Sequence, residues 1–209
     1  MITFKEFLKE QQQAEGEVPI SPDAFVFTFG RYNPPTKGHI SHFRAVRWFA
    51  RSNKSRYAVF VSSAVDTKSN PIPVTEKITY IKKAMPALVV EPARNVTSVL
   101  ERLARTGKYK KFIFFAGSDH FTSGPEQVML ERLAERASKM GLELEIKNSG
   151  QRTAGVSASA LRQAVANNDF KAFLRISPVG VGNVTEGDVS HMFELTKRSI
   201  TSQPTKSTR

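Results

Sequence analysis

The stretch Phe25–His39 places the strongest constraint on how this chain folds, and it reads FVFTFGRYNPPTKGH. It begins as an aromatic, apolar run typical of a buried strand, and it breaks at Gly30 into a loop that two consecutive prolines stiffen. A helical pattern starts near Thr36, and its apolar residues fall on one face, at Ile40, Phe43, Val46, Phe49 and Ala50. The sequence therefore predicts a strand, a stiff loop and a helix N-terminus in direct succession.

This succession suits the binding of phosphate, because the free N–H groups and the dipole of a helix N-terminus attract anions. We expect Gly30 to let the backbone approach a ligand and Gly38 to leave room in the first helical turn. His39 lies in that turn, where the anion would be held. The alternative is a proline-braced loop that leads into an ordinary helix.

The rest of the chain alternates between strand and helix patterns. Strands are predicted at 24–29, 57–62, 88–90, 112–116 and 142–147, and helices at 2–13, 36–51, 74–85, 95–105, 125–140, 157–167 and 188–198. Such alternation indicates an α/β fold, here a Rossmann-like, doubly wound parallel five-stranded sheet with C-terminal helices. Three parts are expected: an N-terminal helix and linker at 1–22, a main domain at 23–178, and a C-terminal helix with a basic tail at 179–209.

Composition narrows the possible functions. Cysteine is absent from the 209 residues, which excludes disulfides, thiol nucleophiles and thiolate metal sites. No apolar run approaches the roughly 20 residues of a membrane span, and no signal peptide is recognisable, so a cytoplasmic protein without a membrane partner is expected. The net charge of +12 suits polyanions, nucleic acid included, but also a nucleotide enzyme. Without a zinc-finger or RNA-recognition signature, nucleic acid is a possible but not a favoured partner.

Two further motifs follow in the sequence. Gly117-Ser118-Asp119 ends the fourth strand and, if the strands are parallel, lies at the same sheet edge as Gly30; the alternative is a plain turn. Ser157 is a good N-cap, and the Ser159 hydroxyl and Arg162 guanidinium would join it in a second anion cradle. A capped helix with an exposed arginine is the alternative there.

The segment Gly30–His39 resembles the signature of the HxGH nucleotidyltransferase superfamily, which includes the cytidylyltransferase-like and nicotinamide-mononucleotide adenylyltransferase-like proteins. Thr36 stands where many members carry the first His. Gly117-Ser118-Asp119 is similar to the Gly-x-Asp of this family, and 156–162 to its Ile-Ser-x-Thr-x-Ile-Arg motif, with Ser159 in place of Thr. The resemblance covers about 24–175, and the patterns at 70–77 and 168–178 look like those of bacteriophage-encoded members, which would act in the host cytoplasm.

The resemblance implies transfer of a nucleoside monophosphate from ATP or CTP to a small phosphorylated acceptor, with release of pyrophosphate and no covalent intermediate. The implied catalytic residues are His39, a donor to the α-phosphate that would act best as a cation, Thr36, and Arg162. The implied nucleotide-binding residues are Phe29, Gly30, Arg31, Tyr32, Asn33, Gly38, Gly117, Asp119, Ser157 and Ser159. Mg2+ would bridge the triphosphate oxygens, and no dedicated metal site is expected in the protein.

Several alternatives remain open from the sequence. The chain could be a catalytically silent, virion-associated or nucleic-acid-binding protein on the same fold, and a homo-oligomer or a phage virion component is possible. His42 is expected at the surface beside Arg44. Lys77 is either a phosphate contact or a helix-surface lysine. The base and the acceptor are left undetermined.

Overall fold

A computed structural model describes residues 23–117, 121, 124–150 and 155–201. Its strands are β1 (Ala24–Gly30), β2 (Arg56–Ser62), β3 (Val90–Ala93), β4 (Lys111–Ala116) and β5 (Glu143–Asn148). Its helices are α1 (Lys37–Ser52), α2 (Val74–Ala84), α3 (Val96–Ala104), α4 (Pro125–Lys139), α5 (Ala158–Ala166), α6 (Phe170–Ile176) and α7 (Glu186–Thr201). The helix predicted at 2–13 lies outside the described residues.

The five strands form one parallel sheet in the order β3-β2-β1-β4-β5, which confirms the predicted sheet. β1 is central, and its Val26 pairs with Tyr57 on β2 and with Ile113 on β4. The strand order reverses direction between β1 and β4. In open α/β sheets this switch point opens a crevice beyond the carboxyl ends of the strands, where ligands bind.

Helices cover both faces of the sheet, as a doubly wound fold requires. Alternate residues of a strand point to opposite faces, and β1 shows this clearly. Phe25 and Phe27 pack in a cluster with α3 and α4, whereas Ala24 and Val26 pack with Val46 of α1. The second face also carries α2 and the three C-terminal helices, whose buried side chains share one cluster with β2.

Helix α6 was not predicted, although it supplies a fully buried core residue, Phe173. Its seven residues are too few to show a helical period, and the only local signal is Asp169, whose side chain caps it by accepting from the Ala172 N–H at 2.9 Å. β3 was predicted at 88–90 but begins at Val90, because its register is set by pairing with Val59 on β2. None of the described helices is long and apolar enough to cross a membrane.

Candidate functional site

The site lies at the carboxyl ends of β1 and β4, the strands on either side of the switch point. The loop that follows Gly30 leads directly into α1, and Gly117 follows the neighbouring strand β4, so the two motifs share one sheet edge as predicted. Ser118 and Asp119 lie outside the described residues. The part of this edge that the structure describes is therefore the loop, the α1 N-terminus and the elements packed against them.

Thr36 and His39 form a reciprocal capping box at the start of α1. The Thr36 Oγ1 accepts from the His39 N–H at 3.2 Å, and the Thr36 N–H donates to Nδ1 of His39 at 3.1 Å. Because Nδ1 accepts, it keeps its lone pair, and the ring proton belongs on Nε2. In this geometry Nε2 is the ring nitrogen that can donate to a ligand, because Nδ1 accepts from the Thr36 N–H. That His39 acts best as a cation stays a prediction.

Tyr32 supports the imidazole from inside the protein. Its side chain is buried, its backbone φ is +45°, and its ring meets the His39 ring edge-on with 5.0 Å between centroids. The ring also covers Gly30, where a Cβ atom would lie 2.6 Å and 2.7 Å from two of its carbons. Gly30 thus makes room for the Tyr32 ring, and its service to close approach of a ligand stays a prediction.

Thr28 joins β1, β4 and α1 through its single hydroxyl, which the sequence analysis did not identify. Its Oγ1 donates to the Phe115 carbonyl at 2.8 Å, so its lone pairs accept from the Tyr32 hydroxyl at 3.0 Å and from Nε2 of His42 at 2.7 Å. The prediction of a surface His42 is therefore wrong. The one available signal was a hydroxyl residue in an otherwise apolar, aromatic strand.

Asn33 holds the loop between β2 and α2 against the site. Its buried side chain donates to the Ile72 carbonyl at 2.9 Å and accepts from the Ile72 N–H at 3.0 Å, and the Asn33–Pro34 peptide is cis. Both ends of the amide are thus used inside the protein. Any contact between Asn33 and a ligand is left to its backbone.

Lys77 is fully buried, which rules out the helix-surface alternative. Its Nζ donates to the Ser62 carbonyl at 2.6 Å and to the Arg31 carbonyl at 3.2 Å, and so ties the end of β2 to the loop after β1. Burial lowers the pKa of Lys77 to about 8, and the charge of Asp66 offsets part of this effect. Asp66 itself accepts from the N–H groups of its own loop, with Ser69 first, which lowers its pKa.

Arg162 connects α5 to the loop after β1. Its Nη1 donates to the Asn33 carbonyl at 2.7 Å, and its Nη2 donates to the Ser159 hydroxyl at 3.0 Å. Burial lowers the pKa of Arg162, and the nearby charge of Arg31 lowers it further. Two guanidinium groups of like charge therefore lie close to each other at the mouth of the site.

Gly38 brings two helix N-termini together. A Cβ at Gly38 would lie 3.3 Å from Cγ1 of Val156, the residue before Ser157, so the first turn of α1 packs against the start of α5. Ser157 caps α5 by accepting from the Ala160 N–H at 3.0 Å. The positive ends of both helix dipoles thus converge beside Arg31 and Arg162, an arrangement that favours an anion.

Phe29 is not part of this convergence. It is partly buried and packs with the cluster between the sheet and helices α3 and α4. The convergent set comprises Arg31, Thr36, Gly38, His39, Ser157, Ser159 and Arg162. Within the described ranges no cluster of three or more His, Cys, Asp or Glu side chains is placed to hold a metal ion.

A cavity of about 300 Å³ lies along the same sheet edge, beyond the ends of β2 and β3, and was not predicted. It is lined by Ser63, Pro92, Ala93, Arg94, Ser98 and Arg102. Arg102 is bonded to Glu91 at 2.7 Å and lies over the Phe60 ring, whereas Arg94 makes no ion pair with the residues described. The cavity therefore offers the Arg94 guanidinium, which no described carboxylate pairs, and the N-terminus of α3.

Known proteins resemble this chain in structure. It superposes on the crystal structure of Thermotoga maritima TmcAL bound with alpha-thio ATP with a TM-score of 0.54 and 14% identity, covering 85% of this chain and 56% of that chain. A macrolide-efflux protein from Streptococcus pneumoniae gives a TM-score of 0.45 and 14% identity over 79% of this chain and 57% of that chain. No protein-family model and no curated protein sequence matches. The TmcAL likeness shows a shared α/β fold, and this chain spans about half of that protein.

Proposed function

We propose that this protein is a nucleotidyltransferase, which moves a nucleoside monophosphate from an NTP to a small phosphorylated acceptor and releases pyrophosphate. One observation carries the proposal: the first turn of α1, in which the Thr36 N–H donates to Nδ1 of His39, packs against the start of α5. A site made of N–H donors, hydroxyls and guanidinium groups fits the oxygens of a triphosphate.

The chemistry requires no nucleophile from the protein. An oxygen of the acceptor's phosphate attacks the α-phosphorus, the bond from that phosphorus to the bridging oxygen of the β-phosphate breaks, and pyrophosphate carries away the electron pair. His39 donates from Nε2 to a non-bridging α-oxygen and stabilises the charge that grows there, without giving up its proton. Because the Thr36 N–H holds Nδ1, the ring is oriented before the substrate binds.

The leaving pyrophosphate is held at the start of α5. Ser157 and Ser159 supply hydroxyls, and Arg31 and Arg162 supply positive charge to the β- and γ-phosphates. Mg2+ would enter with the substrate as Mg–NTP and would offset the negative charge of its phosphates. The described side chains at the site are hydroxyls, an imidazole and cations, which fit phosphate rather than a metal ion.

The NTP and the acceptor would bind at different positions along the carboxyl edge of the sheet. The nucleotide base, of ATP or CTP, would lie toward Gly117 and Asp119 after β4, on one side of the α1 N-terminus. The acceptor would enter the cavity beyond β2 and β3, where Arg94 binds its phosphate. The fold shared with TmcAL, which was crystallised with alpha-thio ATP, supports a nucleotide as a substrate.

The experiment is pyrophosphate release with Mg2+, each NTP in turn, and a panel of small phosphates that includes nicotinamide mononucleotide. His39→Ala should lower the rate by about 10²–10³, as expected for loss of one charge-stabilising donor. His191→Ala is the matched control, because His191 is exposed on α7 and should leave the rate unchanged. If no NTP binds by calorimetry and none turns over, the silent-protein alternative holds instead.

A further inference from the structure

A basic groove lies along the second half of α1, on the face of the sheet opposite α3 and α4. Arg44, Arg47 and Arg51 follow at intervals of three and four residues and so share one side of the helix. Between them and the segment after α2 is a cavity of about 550 Å³. Its lining residues, which define the basic groove, are Arg44, Arg47, Trp48, Arg51, Ala84, Met85, Pro86, Ala87 and Gly182.

The positive charge of the basic groove is not neutralised by neighbouring carboxylates. From residue 24 to residue 65 the sequence holds seven Lys or Arg residues and no Asp or Glu. None of the three groove arginines forms a salt bridge with a described residue. Three guanidinium groups along one helix side thus create a concentrated positive potential.

The wall opposite α1 is firmly built. At Gly182, where φ is +57°, a Cβ would overlap the backbone of Lys83 and Ala84, and the neighbouring Asn183 N–H donates to the Lys83 carbonyl at 2.9 Å. The loop that carries Gly182 is therefore seated tightly on the end of α2. This side of the groove is also lined by the apolar side chains of Met85 and Pro86.

Trp48 gives the groove an aromatic surface among the arginines. It is partly exposed, and it is the only tryptophan of the chain. Trp48 lies twelve residues beyond Thr36, roughly 18 Å along the helix axis. The basic groove is thus at the opposite end of α1 from the proposed catalytic site, and the inference drawn from it does not depend on the proposed function.

We propose that the basic groove binds single-stranded nucleic acid. Arg44, Arg47 and Arg51 bind successive backbone phosphates, and an unpaired base stacks on Trp48. Proteins that bind single strands without sequence preference use a groove in which cations contact the phosphates and aromatic rings stack on the bases. A lipid surface or an acidic protein would also be attracted by the charge, but neither presents an unpaired base that can stack on Trp48.

The test uses the fluorescence of Trp48, which reports only on the groove because the chain has no other tryptophan. The full-length protein is titrated with a 12-nucleotide single-stranded RNA, the corresponding duplex, a polyglutamate peptide and vesicles of anionic phospholipid. We expect the single strand to quench Trp48 and to bind at least tenfold more tightly than the duplex. With three phosphate contacts, log K should fall with log[salt] with a slope of about −2.

Matched charge-reversal pairs separate the groove from the general charge of the protein. Arg44→Glu/Arg51→Glu should weaken RNA binding by tenfold or more and flatten the salt slope. Arg105→Glu/Arg132→Glu makes the same charge change at exposed positions on the other face and should change binding by less than twofold. Pyrophosphate release should be unaffected by either pair, so failure here is distinguishable from failure of the proposed enzyme.

Three results would overturn the proposal. The first is an equal loss of RNA affinity in the two charge-reversal pairs, which would show diffuse attraction. The second is that the duplex, the peptide or the vesicles bind as tightly as the single strand or more tightly. The third is binding of the single strand without any change in Trp48 fluorescence.

Discussion

The backbone N–H of Thr36 donates to Nδ1 of His39 at 3.1 Å, and the backbone N–H of His39 donates in return to the Thr36 Oγ1 at 3.2 Å. The same two bonds cap helix α1 and set the orientation and tautomer of the imidazole. Helix stability and the proposed donation to the α-phosphate are therefore coupled in one pair of residues.

Replacing Thr36 tests this coupling. Thr36→Ala removes the hydroxyl that caps α1 and should lower the free energy of unfolding by about 1 kcal/mol, as loss of an N-cap does. It should also reduce kcat for pyrophosphate release, because the first turn no longer holds His39 in place. Thr36→Ser keeps the hydroxyl and should restore most of both quantities. Urea unfolding and steady-state kinetics measure the two effects, and an unchanged Thr36→Ala variant would contradict the coupling.

Gly30→Ala is expected to destabilise the protein through Tyr32 rather than through a ligand. The new methyl group would lie 2.6–2.7 Å from ring carbons of Tyr32, and displacing the ring should cost about 1–3 kcal/mol. In the double variant Gly30→Ala/Tyr32→Ala that clash is gone. The stability losses of the two single variants should therefore sum to more than the stability loss of the double variant. Additive losses in thermal or urea unfolding would show that Gly30 serves something other than Tyr32.

Arg162→Lys should impair the enzyme although the charge is kept. The guanidinium bonds the Asn33 carbonyl and the Ser159 hydroxyl with two different nitrogens, and a single ammonium cannot reproduce this fork. We expect a higher KM for the NTP together with a lower kcat. Arg175→Lys is the matched control on α6, with the same chemical change away from this fork. Equal kinetics for Arg162→Lys and wild type would exclude a role for the fork.

The burial of Lys77 should make the stability of the protein depend on pH. Burial lowers its pKa to about 8, whereas in the unfolded chain it stays protonated up to about pH 10.5. Between these values folding releases a proton, so the free energy of unfolding should rise with pH across this window, on the order of 1–3 kcal/mol. Below pH 8 the ammonium is charged in both states, and this contribution to the slope vanishes.

The Lys77 effect is obtained as the difference between wild type and Lys77→Met. Burial raises the pKa of Tyr80, which makes stability fall above about pH 10, but Tyr80 is present in both proteins and its effect cancels. Urea unfolding from pH 7 to 10.5 should show the wild type gaining stability relative to Lys77→Met as pH rises. A constant difference between the two proteins would refute a lowered pKa.

The order and type of most elements could be predicted from the sequence. Apolar runs between loop residues marked the strands, and the cap Ser157 marked the start of α5, because these signals are local and chemically specific. The shared edge of Gly30 and Gly117 followed from parallel strands alone. The short helix α6 and the start of β3 were missed or misplaced, since neighbours distant in sequence set them.

The candidate site could be assigned residue types but not roles. Three features depend on contacts in the folded loop. The Thr36 N–H holds Nδ1 of His39, Gly30 makes room for Tyr32, and Lys77 is buried between the end of β2 and the loop after β1. A motif indicates which side chains lie near a phosphate. The protonation state and the solvent exposure of each side chain are set by the residues that contact it in the folded protein. The sequence therefore determines which chemical groups are present and where helices and strands begin. The protonation and burial of these groups, and the cavity beyond β2 and β3, are decided only by tertiary structure, because they need segments that are distant in sequence to come into contact.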